Sequence, residues 1–176
     1  EEQVKYQGKE RFFDRNDLIV SKTDLKGRLM YANDIFLNIA GYTETEIIGQ
    51  PHKIIRHSNM PRAVFKLLWQ TIAAGAEIFA YVVNRAKTGD YYWVIAHITP
   101  SLSNGKIIGY HSTRRVPNPQ TIKQVIEPLY DSLNLIETTA SSQREGLEQS
   151  FRALLDVPAA KNQSYDEFIS RLVRKD

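Results

Sequence analysis

The sequence predicts an α+β domain: a five-stranded antiparallel sheet with helices on one face, followed by C-terminal helices. Three observations support this prediction. Strand-like runs dominate the chain before about residue 118. Turn sequences of the hairpin type join these runs. A group of helical patterns follows the second run, so the order is two strands, a helical crossover and three strands. An antiparallel sheet with helices packed on it satisfies that order.

The first two strands are predicted at residues 18–25 and 28–33. The sequence Asp-Leu-Lys-Gly at residues 24–27 lies where they meet and is a hairpin turn signal. The chain therefore opens its sheet with two neighbouring antiparallel strands.

The crossover is predicted to contain two short helices and one longer helix. Residues 34–40 form the first, which Gly41 ends. Thr43 and Glu46 form a Thr-x-x-Glu capping box that begins the second. Pro61 begins the longer helix, whose apolar face repeats at helical spacing through Val64, Leu67, Leu68 and Ile72.

The last three strands are predicted at residues 77–85, 91–102 and 106–115. Lys-Thr-Gly-Asp at 87–90 and Ser-Asn-Gly at 103–105 separate them, and both are strong turn signals. Three strands joined in this way predict a meander.

Beyond the meander, the sequence predicts helices. Pro117 and Pro119 mark the exit from the last strand, and a helical apolar stripe follows it, formed by Ile122, Val125, Ile126, Leu129 and Leu133. A second amphipathic helix, indicated by Leu147, Phe151, Leu154 and Leu155, is predicted to stop at Pro158. Ser164 with Glu167 is predicted to cap a last helix.

These patterns divide the chain into three parts. We expect an N-terminal cap segment at residues 1–16, a sensor-sized domain at 17–117 and a C-terminal helical segment at 118–176. An amphipathic segment of this length needs a surface to pack on. That surface is either the chain's own domain or a partner protein, and the sequence leaves both open.

Composition excludes several classes of protein. The 176 residues suffice for one ordinary domain with an appendage, and the longest apolar runs are only a few residues, far short of a membrane span. The absence of cysteine excludes disulfides, thiolate metal sites and a cysteinyl-flavin photoadduct, and it fits a cytoplasmic protein. A net charge of only +3 gives no reason to expect a nucleic-acid partner.

A series of short motifs, in this order and spacing, resembles the flavin-binding PAS domain of bacterial aerotaxis receptors. The resemblance covers about residues 17–134, and the segment GYTETEIIGQPHKIIRHSNMP at 41–61 carries much of it. The motifs are Tyr-Ala-Asn-Asp, Gly-Tyr, Gly-Gln-Pro-His, Arg-His, Met-Pro, Asn-Arg, Lys-Thr-Gly-Asp and Tyr-Trp-Val. The resemblance implies a PAS fold, an FAD cofactor and a role in redox sensing.

Arg56 and His57 are the strongest candidates for the cofactor's phosphates. A guanidinium group grips phosphate through paired donors, and a neighbouring imidazole adds another. Taken alone, Arg56 is more readily interpreted as a solvated loop charge, and the intact Arg-His-x-x-Met-Pro pattern of the family reverses that preference in favour of the phosphate role. Asn59 stands where the family usually has aspartate, which keeps hydrogen bonding but removes a charge.

Two amides are candidates for the polar rim of the flavin ring, since each offers a donor and an acceptor. Asn33 ends the second strand, where it could equally cap the helix that follows. Asn84 interrupts an apolar strand, where a buried amide must find a partner, either the flavin or a neighbouring side chain.

Trp69 and Trp93 are candidates for an aromatic surface against the cofactor. Tryptophans on a long helix and in a central strand are also common core residues. Where the family tends to have another tryptophan, early in the third strand, this chain has Ile78 and Phe79, so the adenine end of the site is expected to differ.

Two other kinds of PAS domain remain as alternatives. One binds heme through a histidine, for which His52, His57, His97 and His111 are available, although none has the spacing of a heme or metal site. The other binds no cofactor and serves as a dimerisation surface. No nucleophile elbow, P-loop or dinucleotide fingerprint is present, so we expect no enzymatic activity.

The sequence therefore predicts a cytoplasmic redox or oxygen sensor that binds FAD and passes the flavin's redox state to a chemotaxis receptor or signalling protein. That partner is expected in the same chain or in a separate one, with a homodimer as a further possibility. Insertion into a membrane is not expected.

Overall fold

The computed structural model describes residues 5–175 and has the predicted five-stranded antiparallel sheet. The strands are β1 (Ile19–Asp24), β2 (Leu29–Ala32), β3 (Ile78–Arg85), β4 (Tyr91–Ser103) and β5 (Lys106–Arg115). Their order across the sheet is β2-β1-β5-β4-β3. The last strand, β5, therefore pairs with the first, β1, and lies at the centre of the sheet. β2 and β3 form the two edges.

The crossover between β2 and β3 contains α1 (Asp34–Ala40), α2 (Glu44–Ile47), a 3₁₀ turn (His52–Ile55) and α3 (Arg62–Ala73). Local signals determine their ends. Gly41 has the left-handed conformation, φ 75°, that ends α1 without a Cβ clash. Both hydrogen bonds of the predicted Thr43–Glu46 capping box are present at α2.

The register of the sheet separates its two faces. Ala96 pairs with Arg114, and Ser21 pairs with Ser112, so these side chains share the face that packs against α1, the 3₁₀ turn and α3, here called the inner face. Trp93 pairs with Val83 and lies on the opposite, outer face, because successive residues in a strand point to opposite sides.

The C-terminal part of the chain is helical as predicted, but one predicted boundary is wrong. The elements are α4 (Pro119–Thr121), a π-helical turn (Ile122–Ile126), α5 (Glu127–Thr139), α6 (Gln143–Ala159) and α7 (Tyr165–Val173). Pro158 lies inside the last turn of α6 instead of stopping it. Proline lacks a backbone N–H, so it removes one hydrogen bond from the helix. Because Pro158 lies very near the C-terminal end, the remaining hydrogen bonds are enough to hold the last turn.

The C-terminal helices dock on the sheet domain through polar contacts. Tyr165 donates its hydroxyl to the backbone oxygen of Phe79 on β3, 2.9 Å away. Glu137 accepts from the backbone N–H groups of Arg62 and Ala63, both at 3.0 Å. Pro61 has no side-chain cap to offer, so a carboxylate of α5 caps the N-terminus of α3.

The described part of the N-terminal segment packs on the start of β4. The Arg11 amide donates to the Tyr91 oxygen at 2.7 Å, and the Tyr91 amide donates to the Lys9 oxygen at 3.0 Å. Tyr6 stacks on Tyr91 with a ring separation of 4.4 Å. Within residues 5–175, the helices all lack the length and apolar character needed to span a bilayer.

Candidate functional site

A cavity of about 360 Å³ lies between the inner face of the sheet and the crossover helices. Most of the area of its wall is apolar, and polar side chains from the sheet and the crossover are set among the apolar ones. The apolar part is formed by Ile55, Phe65, Leu68, Ile72, Val82 and Ile98.

Arg114 is a buried cation on the wall of this cavity. Its side chain extends from β5, and the residue is only 3% exposed. Nη2 donates to Ser21 Oγ at 2.7 Å and to His52 Nε2 at 2.5 Å. No ion pair with a carboxylate is formed by Arg114 within the described chain. Burial lowers its pKa to about 10, so the guanidinium remains charged at neutral pH.

His52 is the neutral partner of that cation. Since a guanidinium can only donate, His52 Nε2 accepts and the ring proton lies on Nδ1. Burial, together with the charge of Arg114, lowers the His52 pKa to about 3. The Arg114–His52 pair thus carries one positive charge and no negative charge.

Several polar atoms of the cavity wall have no hydrogen-bond partner among the described residues. They are Thr23 Oγ1, Asn84 Nδ2, Ser112 Oγ and Arg114 Nη1. Burial raises the pKa of the Tyr92 hydroxyl, and the charge of Arg114, with the neighbouring Asn84 side chain, opposes that rise. The Tyr92 hydroxyl is likewise without a hydrogen-bond partner among the described residues. Buried polar groups in native proteins nearly always find a partner, so this wall fits a ligand with a polar rim.

A second, more polar cavity of about 940 Å³ adjoins the first. Lys53 and Arg56 line both cavities and so mark the junction. Five basic side chains line the second cavity: Lys5, Lys53, Arg56, Arg62 and Arg85. Within the described residues, Lys5 and Arg62 are the two that pair with carboxylates.

Arg56 and His57 are held where an anion at the junction could reach them. The Arg56 guanidinium lies 3.5 Å from the centre of the Phe65 ring. His57 Nδ1 accepts from the Asn59 amide at 3.0 Å, which leaves the Nε2 proton as a donor. Burial and the charge of Arg85 lower the His57 pKa, which favours this neutral form.

The structure brings five of the seven predicted site residues to these cavities. Arg56, Trp69 and Asn84 line the first, and Arg56, His57 and Asn59 line the second. Trp69 packs edge-to-face on Tyr110 at 5.5 Å.

Two predicted residues lie elsewhere. The Asn33 oxygen accepts from the amides of Val20 and Phe36, and its Nδ2 donates to the Leu18 oxygen, so the side chain serves as the α1 cap. Trp93 lies on the outer face, between Tyr6 and Tyr130. The sheet separates Trp93 from the cavity, and the hydrogen bonds of Asn33 are used in the α1 cap. We therefore retain neither residue in the site.

The sequence analysis missed Arg114, and it considered His52 only as an available ligand for the heme alternative. A signal for Arg114 existed: Tyr110, Ser112 and Arg114 alternate along β5 and share one face. Choosing between Arg114 and its neighbour Arg115 required knowing which face the helices cover.

The remaining histidines face other groups. His97 is paired with Glu77 at 2.8 Å and stacked on Phe79, and His111 lies in β5 next to the inner-face residues Tyr110 and Ser112, so it points outward. In residues 5–175, no group of three or more His, Cys, Asp or Glu side chains is placed to hold a metal ion.

Comparison with known proteins shows to which family the residues around this site belong. The model of the PAS fold matches residues 29–114. These residues belong to the PAS family. The aerotaxis receptor of Escherichia coli is 43% identical over 121 residues, which is 69% of this chain and 24% of the receptor. A nitrogen fixation regulatory protein of Klebsiella pneumoniae is 29% identical over 54% of the chain and 20% of that protein. This chain therefore spans about a quarter or less of the length of these relatives.

Solved structures support the PAS fold. A light-oxygen-voltage domain studied with a flavin analogue has a TM-score of 0.55 at 16% identity, over 65% of this chain and 87% of that one. The dark structure of the Aureochrome1 photoreceptor domain has a TM-score of 0.55 at 20% identity, over 66% of this chain and 85% of that one. At these identities the likeness concerns the fold alone.

Proposed function

We propose that this PAS domain binds FAD and serves as the redox-sensing module of a chemotaxis-type signalling system. The observation that carries the proposal is the set of unpartnered polar atoms on an otherwise apolar cavity wall beside an uncompensated cation. A flavin ring has a flat apolar body and a polar rim, so it would fill the cavity and supply the missing partners.

The junction between the cavities supports a phosphate role for the predicted Arg-His pair. Arg56, Lys53 and the Nε2 proton of His57 would donate to a diphosphate that passes from the first cavity to the second. The size of the second cavity favours a dinucleotide over FMN, because FMN ends at its single phosphate.

A bound flavin supplies reversible electron uptake, and the protein supplies binding, orientation and electrostatics. Arg114 would hold positive charge beside the ring as negative charge accumulates there. Asn84 would present an amide that can donate or accept, so its hydrogen bonds would differ between redox states. A sensor needs such differential contacts.

The packing supports a relay through the C-terminal helices. Arg114 lies near the C-terminal end of β5, which leads after a few residues into α4 and then, through the π-helical turn, into α5. We propose that the C-terminal helices pass the altered contacts to a receptor or signalling protein in the cytoplasm, without enzymatic activity of this domain. The similarity to an aerotaxis receptor supports a chemotaxis partner.

The proposal is tested by purifying the protein and examining its absorbance and its released small molecules. We expect flavin absorbance, and FAD in the denatured supernatant by chromatography with mass detection. Added FAD should reconstitute an apoprotein if the cofactor is lost during purification. A heme band, or a colourless protein that does not take up FAD, would overturn the proposal in favour of the heme-binding or the cofactor-free alternative.

A further inference from the structure

The second cavity has a wall that comes from outside the PAS-matched residues. Asp131, Asn134, Leu135 and Thr138 of α5 line it, opposite the loop that carries Arg56 and His57. The sequence analysis placed α5 in the C-terminal helical segment and gave it no part in the cofactor site, yet this helix completes the cavity.

The charges of the cavity suit an anion. Asp131 is its one acidic lining residue in the described chain, and the Lys5 ammonium already neutralises it at 2.9 Å. Lys53, Arg56 and Arg85 also line the cavity, and none of them pairs with a carboxylate in the described chain. Grouped like charges of this kind attract a ligand of opposite sign.

The wall also offers an apolar surface. Leu135 lies among polar residues on the cavity wall, and its side chain is 62% exposed. An exposed leucine on the wall of a polar cavity can pack against the flat face of a purine base.

Hydrogen bonds join the three walls of the cavity. Asn134 Nδ2 donates to the Asn59 backbone oxygen at 2.7 Å, and Asn59 Nδ2 donates to the Lys5 backbone oxygen at 2.5 Å. The loop, the N-terminal segment and α5 are thus connected through a single residue, Asn59, which accepts from α5 and donates to the N-terminal segment. A ligand between them would contact all three.

We infer that α5 forms one wall of a subsite for the adenosine-phosphate end of the cofactor, and that occupancy of this subsite stabilises the docking of α5. The inference rests on the proposed function, because the subsite adjoins the flavin cavity at Lys53 and Arg56. It makes the C-terminal helix a part of the cofactor site.

Two adjacent threonines of α5 provide a matched test. Both are exposed, and each donates its hydroxyl to the backbone oxygen four residues earlier, but only Thr138 lines the cavity. Thr138→Glu places a carboxylate opposite the ligand's phosphates, whereas Thr139→Glu adds the same charge to the same helical turn away from them. Leu135→Ala removes the apolar contact with little change to the fold.

The affinities of the apoprotein for FAD and for FMN are measured by quenching of flavin fluorescence. In Thr138→Glu we expect FAD affinity to fall by about tenfold, and FMN, which lacks the adenosine end, to change by less than about twofold. Leu135→Ala should likewise weaken FAD selectively, and Thr139→Glu should bind both as the wild type does.

The outcomes separate this inference from the proposed function. If the wild type binds neither flavin, the proposed function fails and the inference fails with it. If the wild type binds FAD but Thr138→Glu and Leu135→Ala bind it like Thr139→Glu, only the α5 subsite is overturned. Circular dichroism of each variant verifies that lost binding does not reflect unfolding.

Discussion

Tyr130 of α5 donates its hydroxyl to the backbone oxygen of Tyr81, at the edge of β3. An uncovered edge strand is a template for pairing with other chains. Tyr165 makes the same kind of contact two residues away, at Phe79, and the Val83 amide donates to Met60 Sδ at 3.4 Å. The C-terminal helices and the loop before α3 thereby close this edge of the sheet.

Removing the Tyr130 hydroxyl should loosen the C-terminal helices. We expect Tyr130→Phe to lower the free energy of unfolding by about 1 to 2 kcal/mol, because a buried hydrogen bond is lost. Amide hydrogen exchange in α5 should accelerate. Tyr31→Phe, at an exposed position on β2, is the control and should change neither measurement. Equal exchange in the two variants would argue against a role for the edge contact.

Loss of the junction donors should release the cofactor. We expect Arg56→Ala and His57→Ala to purify with little or no flavin while remaining folded, because each removes a donor to the diphosphate. Arg144→Ala, on the exposed surface of α6, and His97→Ala are matched controls that should retain flavin. Full occupancy in the Arg56 and His57 variants would refute the phosphate role.

Arg114 should affect stability and cofactor binding in opposite directions. Its buried charge lacks a counter-ion, which costs free energy in the absence of ligand. Arg114→Met should leave the apoprotein as stable as the wild type or more stable, by up to about 2 kcal/mol, while flavin affinity falls by about tenfold. Denaturant unfolding of the apoprotein and flavin titration check the two effects. A destabilised apoprotein with unchanged flavin affinity would mean that Arg114 is only structural.

The low pKa of His52 should make the stability of the apoprotein depend on pH. The folded pKa of about 3 lies below the ordinary value of 6.5, so the unfolded state binds the proton first as pH falls. The contribution of His52 to the free energy of unfolding is therefore fully present above pH 6.5 and is lost as the pH falls from 6.5 to 3. His52 contributes a loss of about 2 kcal/mol between pH 7.5 and pH 5.0.

The contribution of His52 is isolated by comparison with His52→Gln, which keeps an acceptor for Arg114 but cannot titrate. Urea unfolding at both pH values should show a smaller pH dependence in this variant than in the wild type. Equal slopes in His52→Gln and the wild type would show that other groups dominate.

Local sequence determined most of the fold. The capping boxes at Thr43 and Ser164 form as predicted, since each depends on residues only three positions apart. The Arg-His motif at 56–57 lies beside the cavities, with Arg56 on the walls of both and His57 on the wall of the second. The order of the elements along the chain followed from the turn signals and the helical patterns between them.

Tertiary structure alone decided which face each strand residue occupies. Alternation along β3 puts Val83 and Asn84 on opposite faces, and the pairing of Trp93 with Val83 then puts the tryptophan on the face opposite the amide. Because the crossover helices cover the amide's face, Asn84 lies inside and Trp93 outside. The same choice put Arg114 into the cavity and Arg115 outside it. The docking of α5 through Glu137 and Tyr130 was also beyond the sequence, because these contacts join positions about 50 or more residues apart. Signals between residues close in sequence specify the helices, strands and turns. Which face of the sheet is buried depends on where the helices pack, and only the folded chain decides that.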